Sequence, residues 1–546
     1  MSAGFKPELH QVPVPPMQWD AWGDPSLAAP LSEGTSTLIR GMLGVSGEIT
    51  LPTLDPSTVT VSPSCLSDAD LAGLRGIVGD GFASTADADR LLRAGGKSTP
   101  DLLRRRQPTQ DAPDAVVLPA TDEEVAALLA WCEENRVAVV PFGGGTSVVG
   151  GVDPDAGRFR AAITVDLRRM DALIDLDEVS QVATLGAGVT GPDAEELLGE
   201  RGYSLGHFPQ SFRFATIGGF AVTRSSGQAS AGYGRFDDMV QALTLVTPRG
   251  TLVAGRSPKN AVGPDLRQLV MGSEGAFGIV TRVSVRVHRV PAVTEYEGWR
   301  FNSFTDAAAA FRAVAQEGVM PTVMRVSDEV ETALNLARPT EIGESSDDDL
   351  PDKQVPGGCL AITTFEGSPT AVAARAGVVR EIFTAVGGQS LGPGPAQAWE
   401  HGRFSGPYLR DALLDIGVGC ETLETVTSWA NLDALKTAVT AALSEALPEP
   451  TVVMCHISHT YATGASLYFT VVYRQDGEPL EQWMAAKRTV SQAITDAGAS
   501  ITHHHAVGRD HRPWLSAEIG ELGVDALRAV KDVLDPAGVC NPGKLV

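Results

Sequence analysis

Apolar and polar positions change period several times along the chain, and the changes mark its elements. Ala115–Pro119 (AVVLP) is a short continuous apolar run and predicts a buried strand. Thr121 and Glu124 form a capping-box pair, and Val125, Leu128, Leu129 and Cys132 follow at helical spacing. Arg136–Phe142 (RVAVVPF) predicts a second strand, which completes a βαβ unit and delivers the chain into Gly143–Gly145. Strand-like runs continue at Ala162–Asp166 and Gln181–Leu185. A helix is expected over Asp193–Glu200, closed by Gly202, with strands at Val240–Val246 and Gly278–Val287.

Pro291 marks a domain change, and from about 292 to 500 strands and long helices start again. Glu341–Lys353 is acidic and turn-rich and predicts a surface loop. Glu481–Ala497 predicts an amphipathic helix on Trp483, Val490, Ile494 and Ala497, with Gly498 as its C-cap. A last helix near 523–534 ends at Asp535–Pro536, before the turn-rich VCNPGKLV. There are no internal repeats. The expected units are an extension with short helices (1–89), a first domain (90–291), a second domain (292–500), and a segment (501–546) that returns to the first.

The 546 residues exceed one core, so two large lobes are expected. Hydrophobic residues make up 43% and charged residues 20%, ordinary values for a globular protein. The net charge of −24 argues against a nucleic-acid partner, because phosphate binding needs clustered Lys and Arg. The six cysteines are scattered without a CxxC pair, which suggests buried thiols in a reducing cytosol rather than a disulfide framework or zinc ribbon. No secretory leader or membrane-length apolar run is visible, so a cytoplasmic location is expected, with peripheral membrane contact left open.

Three glycine-rich stretches suggest a large ligand. In Pro141, Phe142, Gly143, Gly144, Gly145, Thr146 and Ser147, three glycines free the backbone so that amides can converge on an anion, a pyrophosphate above all. The second stretch comprises Pro209, Gln210, Ser211, Phe212, Arg213, Phe214, Ala215, Thr216, Gly218, Gly219, Thr223, Arg224, Ser225 and Ser226. The third comprises Glu274, Gly275, Ala276, Phe277, Gly278, Ile279 and Val280. GAGVTG at 186–191 also fits GxGxxG, but no acid stands about 20 residues on to hold a ribose, so it is assigned as a tight strand-to-helix turn.

Together with DPAGVCNPGK, these motifs resemble the vanillyl-alcohol-oxidase flavoprotein superfamily. MQWDAWGDP (17–25), YLRDALLDIGVGCETLETVTSW (408–429), CHISHTYATGASLYF (455–469) and GASITHHHAVG (498–508) are similar in particular to the alkyl-dihydroxyacetonephosphate synthase family. The resemblance covers the chain from about residue 17 onward. It implies an α+β fold: a split, two-subdomain FAD-binding domain of the PCMH type with an inserted α+β cap. It implies FAD held non-covalently in the three glycine-rich stretches, and a homodimer. The implied reaction exchanges the acyl group of acyl-dihydroxyacetonephosphate for a fatty alcohol, through flavin N5 and without net redox change.

Tyr468 interrupts an otherwise apolar strand, and three histidines, His503, His504 and His505, are adjacent. Read as a strand, the trio puts at most His503 and His505 on one side, which makes a poor metal site, and no metal is expected. The resemblance assigns Tyr468 as proton acid/base, the trio as its companions, Arg410 to flavin and substrate, and Arg325 to support of the flavin site. Arg509 and Arg512 are candidate phosphate contacts, since Arg grips phosphate bidentately. A flavin-dependent 2-hydroxy-acid dehydrogenase is the main alternative, and an oxidase of another alcohol a second. The dehydrogenase pattern pairs histidines with an acid at a metal. Here HTYATGASLY and HHAVG put Tyr468 in place of a histidine and His504 in place of the acid, which favours the synthase.

Overall fold

A computed structural model describes residues 9, 17–46, 49, 51–55, 58–337 and 357–546. Glu341–Lys353, expected as a surface loop, lies outside the described residues.

The first lobe is built on two main sheets. One orders its strands Ala83–Ser84, Ala115–Val117, Ala161–Asp166, Val137–Phe142, and the last three run parallel. Helix Asp122–Asn135 makes the crossover. Val137–Val140 are wholly buried, as a parallel strand covered on both faces requires. Thr121 accepts from Glu124 N at 3.2 Å as expected, but the return bond from Glu124 goes to Ala120 N rather than to the cap residue. The chain's last residues extend this sheet: Val139 N donates to Val539 O at 2.8 Å, and Asn541 N to Val139 O at 2.7 Å.

The second sheet is antiparallel, in the order Gly250–Ala254, Val240–Thr247, Ile279–Arg286, Val182–Gly186, Leu173–Asp177. GAGVTG is packed by backbone, as a tight turn should be: a Cβ on Gly188 would lie 1.9 Å from Leu167 O. Five cysteines are buried and unpaired, whereas Cys65, expected to be buried, is exposed.

The second lobe is one seven-stranded antiparallel sheet. Its order is Gln389–Gly392, Val293–Phe301, Cys359–Gly367, Val323–Ser327, Val452–Ile457, Gly464–Arg474, Val418–Ser428. Leu467, Phe469 and Val471 face a core shared with helices Phe304–Glu317, Pro369–Ala385, Leu432–Ala446 and Pro479–Asp496. In the last of these, Trp483, Val490 and Ile494 are buried. The alternate positions, Tyr468 and Thr470, are only half-buried and point to the opposite face. On that face register aligns one polar row across four strands: Ser327 opposite His456, His456 opposite Tyr468, Tyr468 opposite Glu424.

Candidate active site

The three glycine-rich stretches meet. A Cβ on Gly144 would sit 2.0 Å from Phe214 O, and one on Gly143 2.3 Å from Thr216 Oγ1. Gly275, at φ +78°, lies so close to Pro141 that a Cβ would approach its ring to 2.6 Å. Glu274 N donates to Val222 O at 3.0 Å, which joins the second stretch to the third. Side chains are thus excluded where backbone meets backbone. The amides of Gly143, Gly144, Gly145, Thr146 and Ser147 donate to no acceptor among the described residues, while most of this turn stays half-exposed inside a buried surround. Successive free amides of this kind make a concave anion site.

The tail seals the cradle. The Glu274 carboxylate accepts from Gly508 N at 2.8 Å and Val507 N at 3.1 Å, and burial pushes its carboxyl up to about 7. Asn541 Nδ2 donates to Gly151 O and Glu274 O, and Lys531 Nζ to Ala276 O.

Other members of the stretches serve the scaffold. Thr216 caps helix Ile217–Val222, Thr223 bonds back to Gly219 O, and Phe277, Ile279 and Val280 lie in the core. Arg224 spends its guanidinium on Asp237, Met271 O and Gln268 O. Ser225 Oγ pairs with buried His207 at 2.9 Å, and Ser226 Oγ lies 3.3 Å from His459 Nδ1. Gln210 and Arg213 are exposed.

The polar row meets the histidine trio. His503–His505 do not form a strand. They form a tight turn wrapped around one carboxylate: Glu424 accepts from the amides of His503, His504 and His505 at 2.8, 2.6 and 2.8 Å, and from Thr502 Oγ1 at 2.7 Å. The turn brings all three rings together, with centroids 5.3 Å apart for His503 and His504 and 4.9 Å for His504 and His505. Tyr468 meets His505 edge-on at 5.9 Å and His504 in parallel at 6.5 Å.

Behind Tyr468, His456 stacks at 4.7 Å and lies 3.0 Å from Glu331 through its Nδ1. Arg325 joins the pair, bonding Glu331 and reaching His456 Nδ1 at 3.1 Å. On the far side His459 stacks on His503 at 4.8 Å, and Tyr461 Oη lies 2.5 Å from His503 Nε2. The strand argument against a metal therefore does not hold. Ligand atoms of His459, His503 and His504, and of Glu424, His504 and His505, lie within 4.8 Å of one another.

Burial dominates the electrostatics. It pulls His503 and His459 well below the ordinary histidine range and His505 down to about 3, so these rings are neutral at pH 7. Burial also pushes the Tyr468 phenol up to about 12. It would raise Glu424 as well, but the imidazoles, His504 foremost, hold that carboxyl well below the ordinary glutamate range.

The arginines spread out. Arg410 is buried and fixed by Asp411 and by Lys97 O at 2.6 Å, apart from the trio. Lys97 lies beside the cradle, its amide bonded to Ser147 O and its Nζ to the carbonyls of Gln18 and Trp19. Arg509 pairs with Asp153 at 2.7 Å, and Arg512 is exposed.

Comparison with known proteins follows this geometry. Residues 113–255 match the family model described as FAD binding domain, and residues 290–545 the model for FAD linked oxidases, C-terminal domain. The alkyldihydroxyacetonephosphate synthase of Dictyostelium discoideum is 34% identical, over 84% of this chain and 77% of its own. That of Trypanosoma brucei brucei is 31% identical, over 97% and 92%. The chain belongs to the alkyldihydroxyacetonephosphate synthase family. A solved synthase structure superposes with TM-score 0.81 at 30% identity, covering 97% of this chain and 99% of that one.

Within the synthase family the fold is the expected one: a split FAD-binding domain with an inserted α+β cap. FAD is the cofactor. The residues present fit it, since the cradle of unspent amides is shaped for a pyrophosphate, the group that joins the two halves of FAD. Among the described residues no helix is long and apolar enough to cross a membrane. Sequence reasoning about this synthase-family site missed Glu424, His456, His459, Tyr461 and Glu331. The one signal for Glu424 was a pair of acids, Glu421 and Glu424, inside an apolar strand; a buried charge demands a partner.

Proposed function

We propose that this chain is an FAD-dependent alkyldihydroxyacetonephosphate synthase, an enzyme that replaces the acyl group of acyl-dihydroxyacetonephosphate by a fatty alcohol. The observation that carries this reading is the phenol of Tyr468 set among the imidazoles of His456, His504 and His505. FAD bound in its reduced form would supply N5 as the nucleophile toward C1 of the substrate.

The protein's own residues then have three tasks. The first is proton transfer at C1. Tyr468 begins protonated, because burial holds its phenol at about 12, and it exchanges its proton with the neighbouring imidazoles of His504 and His505. The second is charge. Arg410, fixed by Asp411 and Lys97 O, is a preset cation toward the anionic substrate, and it costs no reorganisation during reaction. Arg509 stands at the cradle rim, already paired with Asp153, so a phosphate there would have to share it. The third is positioning. Arg325 acts through Glu331 and His456, and His456 stacks behind Tyr468 and fixes its ring.

The test uses purified, FAD-loaded protein. It is offered palmitoyl-dihydroxyacetonephosphate with hexadecanol, and separately D-lactate with a dye acceptor. Ether product without dye reduction is expected. Dye bleaching by the hydroxy acid, with no ether, would overturn the assignment in favour of a dehydrogenase.

A further inference from the structure

A proton removed from C1 must leave a site whose bases are buried, and return to it. Within the trio His503 is enclosed, while His504 keeps 18% of its side chain exposed. The Nε2 of His503 nevertheless has a partner at 2.5 Å, the hydroxyl of Tyr461. On the other edge of the same ring, Nδ1 lies 3.0 Å from His504 Nδ1. Tyr461 opens the hairpin turn Tyr461–Gly464, is half-buried, and is followed by exposed Ala462 and Thr463. The three groups therefore form one hydrogen-bonded line from the ring beside Tyr468 to half-buried Tyr461, at the base of an exposed turn.

We propose that Tyr461 and His503 are a proton relay that exchanges the C1 proton with solvent; this rests on the synthase reaction proposed above. The line admits two polarities. In one, His504 Nε2 is free, His504 Nδ1–H donates to His503 Nδ1, His503 Nε2–H donates to Tyr461 Oη, and the phenol donates outward. A proton arriving at His504 Nε2 moves each of these hydrogens one place along. Tyr461 releases one to water, and the line is left in its opposite polarity. The line holds the same number of protons before and after. Reversal returns a solvent proton to C1, so the cycle consumes no oxidant or reductant.

The surroundings suit this transfer. Reversal of the line requires no stable imidazolium. Arg235 hydrogen-bonds the Tyr461 side chain and is itself paired with Asp237 at 3.1 Å, so transient negative charge on the phenol oxygen meets a fixed cation. His459 stacks on His503 and is held by Ser226, which fixes the ring in the line. Glu424 grips the backbone amides of the trio, so the rings can exchange protons without losing register. Tyr461 acts through His503 and is a relay residue; Tyr468 and His504 remain the groups toward substrate.

The experiment runs ether synthesis in D2O with substrate unlabelled at C1. Wild-type product should carry solvent deuterium at C1. Tyr461→Phe removes one oxygen from the line. It should slow ether formation about a hundredfold, and the ether it does form should keep its original C1 hydrogen, because the abstracted proton is trapped and handed back. A simple structural defect would slow turnover without changing that isotope content. Wild-type deuterium content in the Tyr461→Phe product overturns the relay. Absence of ether from the wild-type enzyme instead overturns the function on which it rests. Should Tyr461→Phe lose its flavin spectrum, a proton inventory on the wild-type enzyme decides. A bowed dependence of rate on deuterium fraction supports several protons in flight, and a straight line overturns the relay.

Discussion

Replacing Glu424 by Gln isolates the device that turns three consecutive histidines into a cluster. The wild-type carboxylate receives three backbone amides and the Thr502 hydroxyl, and its side chain is wholly buried. A hydrogen bond to a charged acceptor contributes about 1.5–3 kcal/mol against about 0.5–1.5 for a neutral one. Loss of charge across four bonds therefore weakens the turn by about 4–6 kcal/mol. Partial relaxation leaves about 2–4 kcal/mol. There is a geometric conflict as well. The oxygen that becomes NH2 either faces His503 N, 2.8 Å away, or faces the donors His504 N and His505 N. At 1.4 kcal/mol per decade, kcat for ether synthesis should fall by about a hundredfold. Flavin content should hold, since the Glu424 hydrogen bonds lie in the 502–505 turn rather than the cradle. Steady-state kinetics with the visible flavin spectrum as an occupancy control makes the measurement. A Glu424→Gln enzyme with wild-type kcat would refute the claim that this carboxylate organises the trio.

Gly144→Ala places a methyl 2.0 Å from Phe214 O, a backbone atom that cannot move aside, so the purified variant should lack the flavin absorbance; a fully yellow variant would contradict the cradle. Tyr468→Phe should abolish turnover while flavin stays bound, and surviving ether synthesis would remove Tyr468 from its acid/base role. Glu274→Gln should cost less thermal stability than Glu424→Gln. The Glu274 carboxyl sits near 7 and already spends much of its time protonated, whereas Glu424 is ionised; equal losses in unfolding temperature would count against this. Burial holds His207 and His505 near 3 and His511 near 4, far below the value of about 6.5 in an unfolded chain. The unfolded state therefore binds more protons below about pH 6.5. Unfolding temperature should be flat above that pH and fall between 6.5 and 5, before most carboxylates titrate, with Glu274 offsetting part of the loss. A flat profile through that window would refute the buried neutral rings.

Much of the fold was legible because it is local. The run RVAVVPF gives strand Val137–Phe142, the pattern of Trp483, Val490 and Ile494 gives helix Pro479–Asp496, and SLYFTVV shows its two faces by alternation. The three glycine stretches were legible as cradle material, because only glycine tolerates backbone contacts as close as Gly144 makes with Phe214. The histidine trio was visible, but its shape was not. Three polar residues before a glycine carry no periodicity, and the turn they adopt is imposed by Glu424, nearly 80 residues earlier in sequence and on the other lobe. Tyr461, His459 and His456 were hidden for a related reason. Each is an ordinary core or loop residue in its own segment and acquires a role only where strand register or lobe docking supplies its partner.

The pairing of Val539–Asn541 with Val139 ties a segment distant in sequence into the first sheet. Asn541 also bridges Gly151 and Glu274, so this segment acts as a rivet between two of the glycine-rich strands of backbone. A variant without residues 539–546 would lose every one of these bonds, and the yellow colour it keeps through gel filtration would report how much of the coenzyme's retention the rivet supplies.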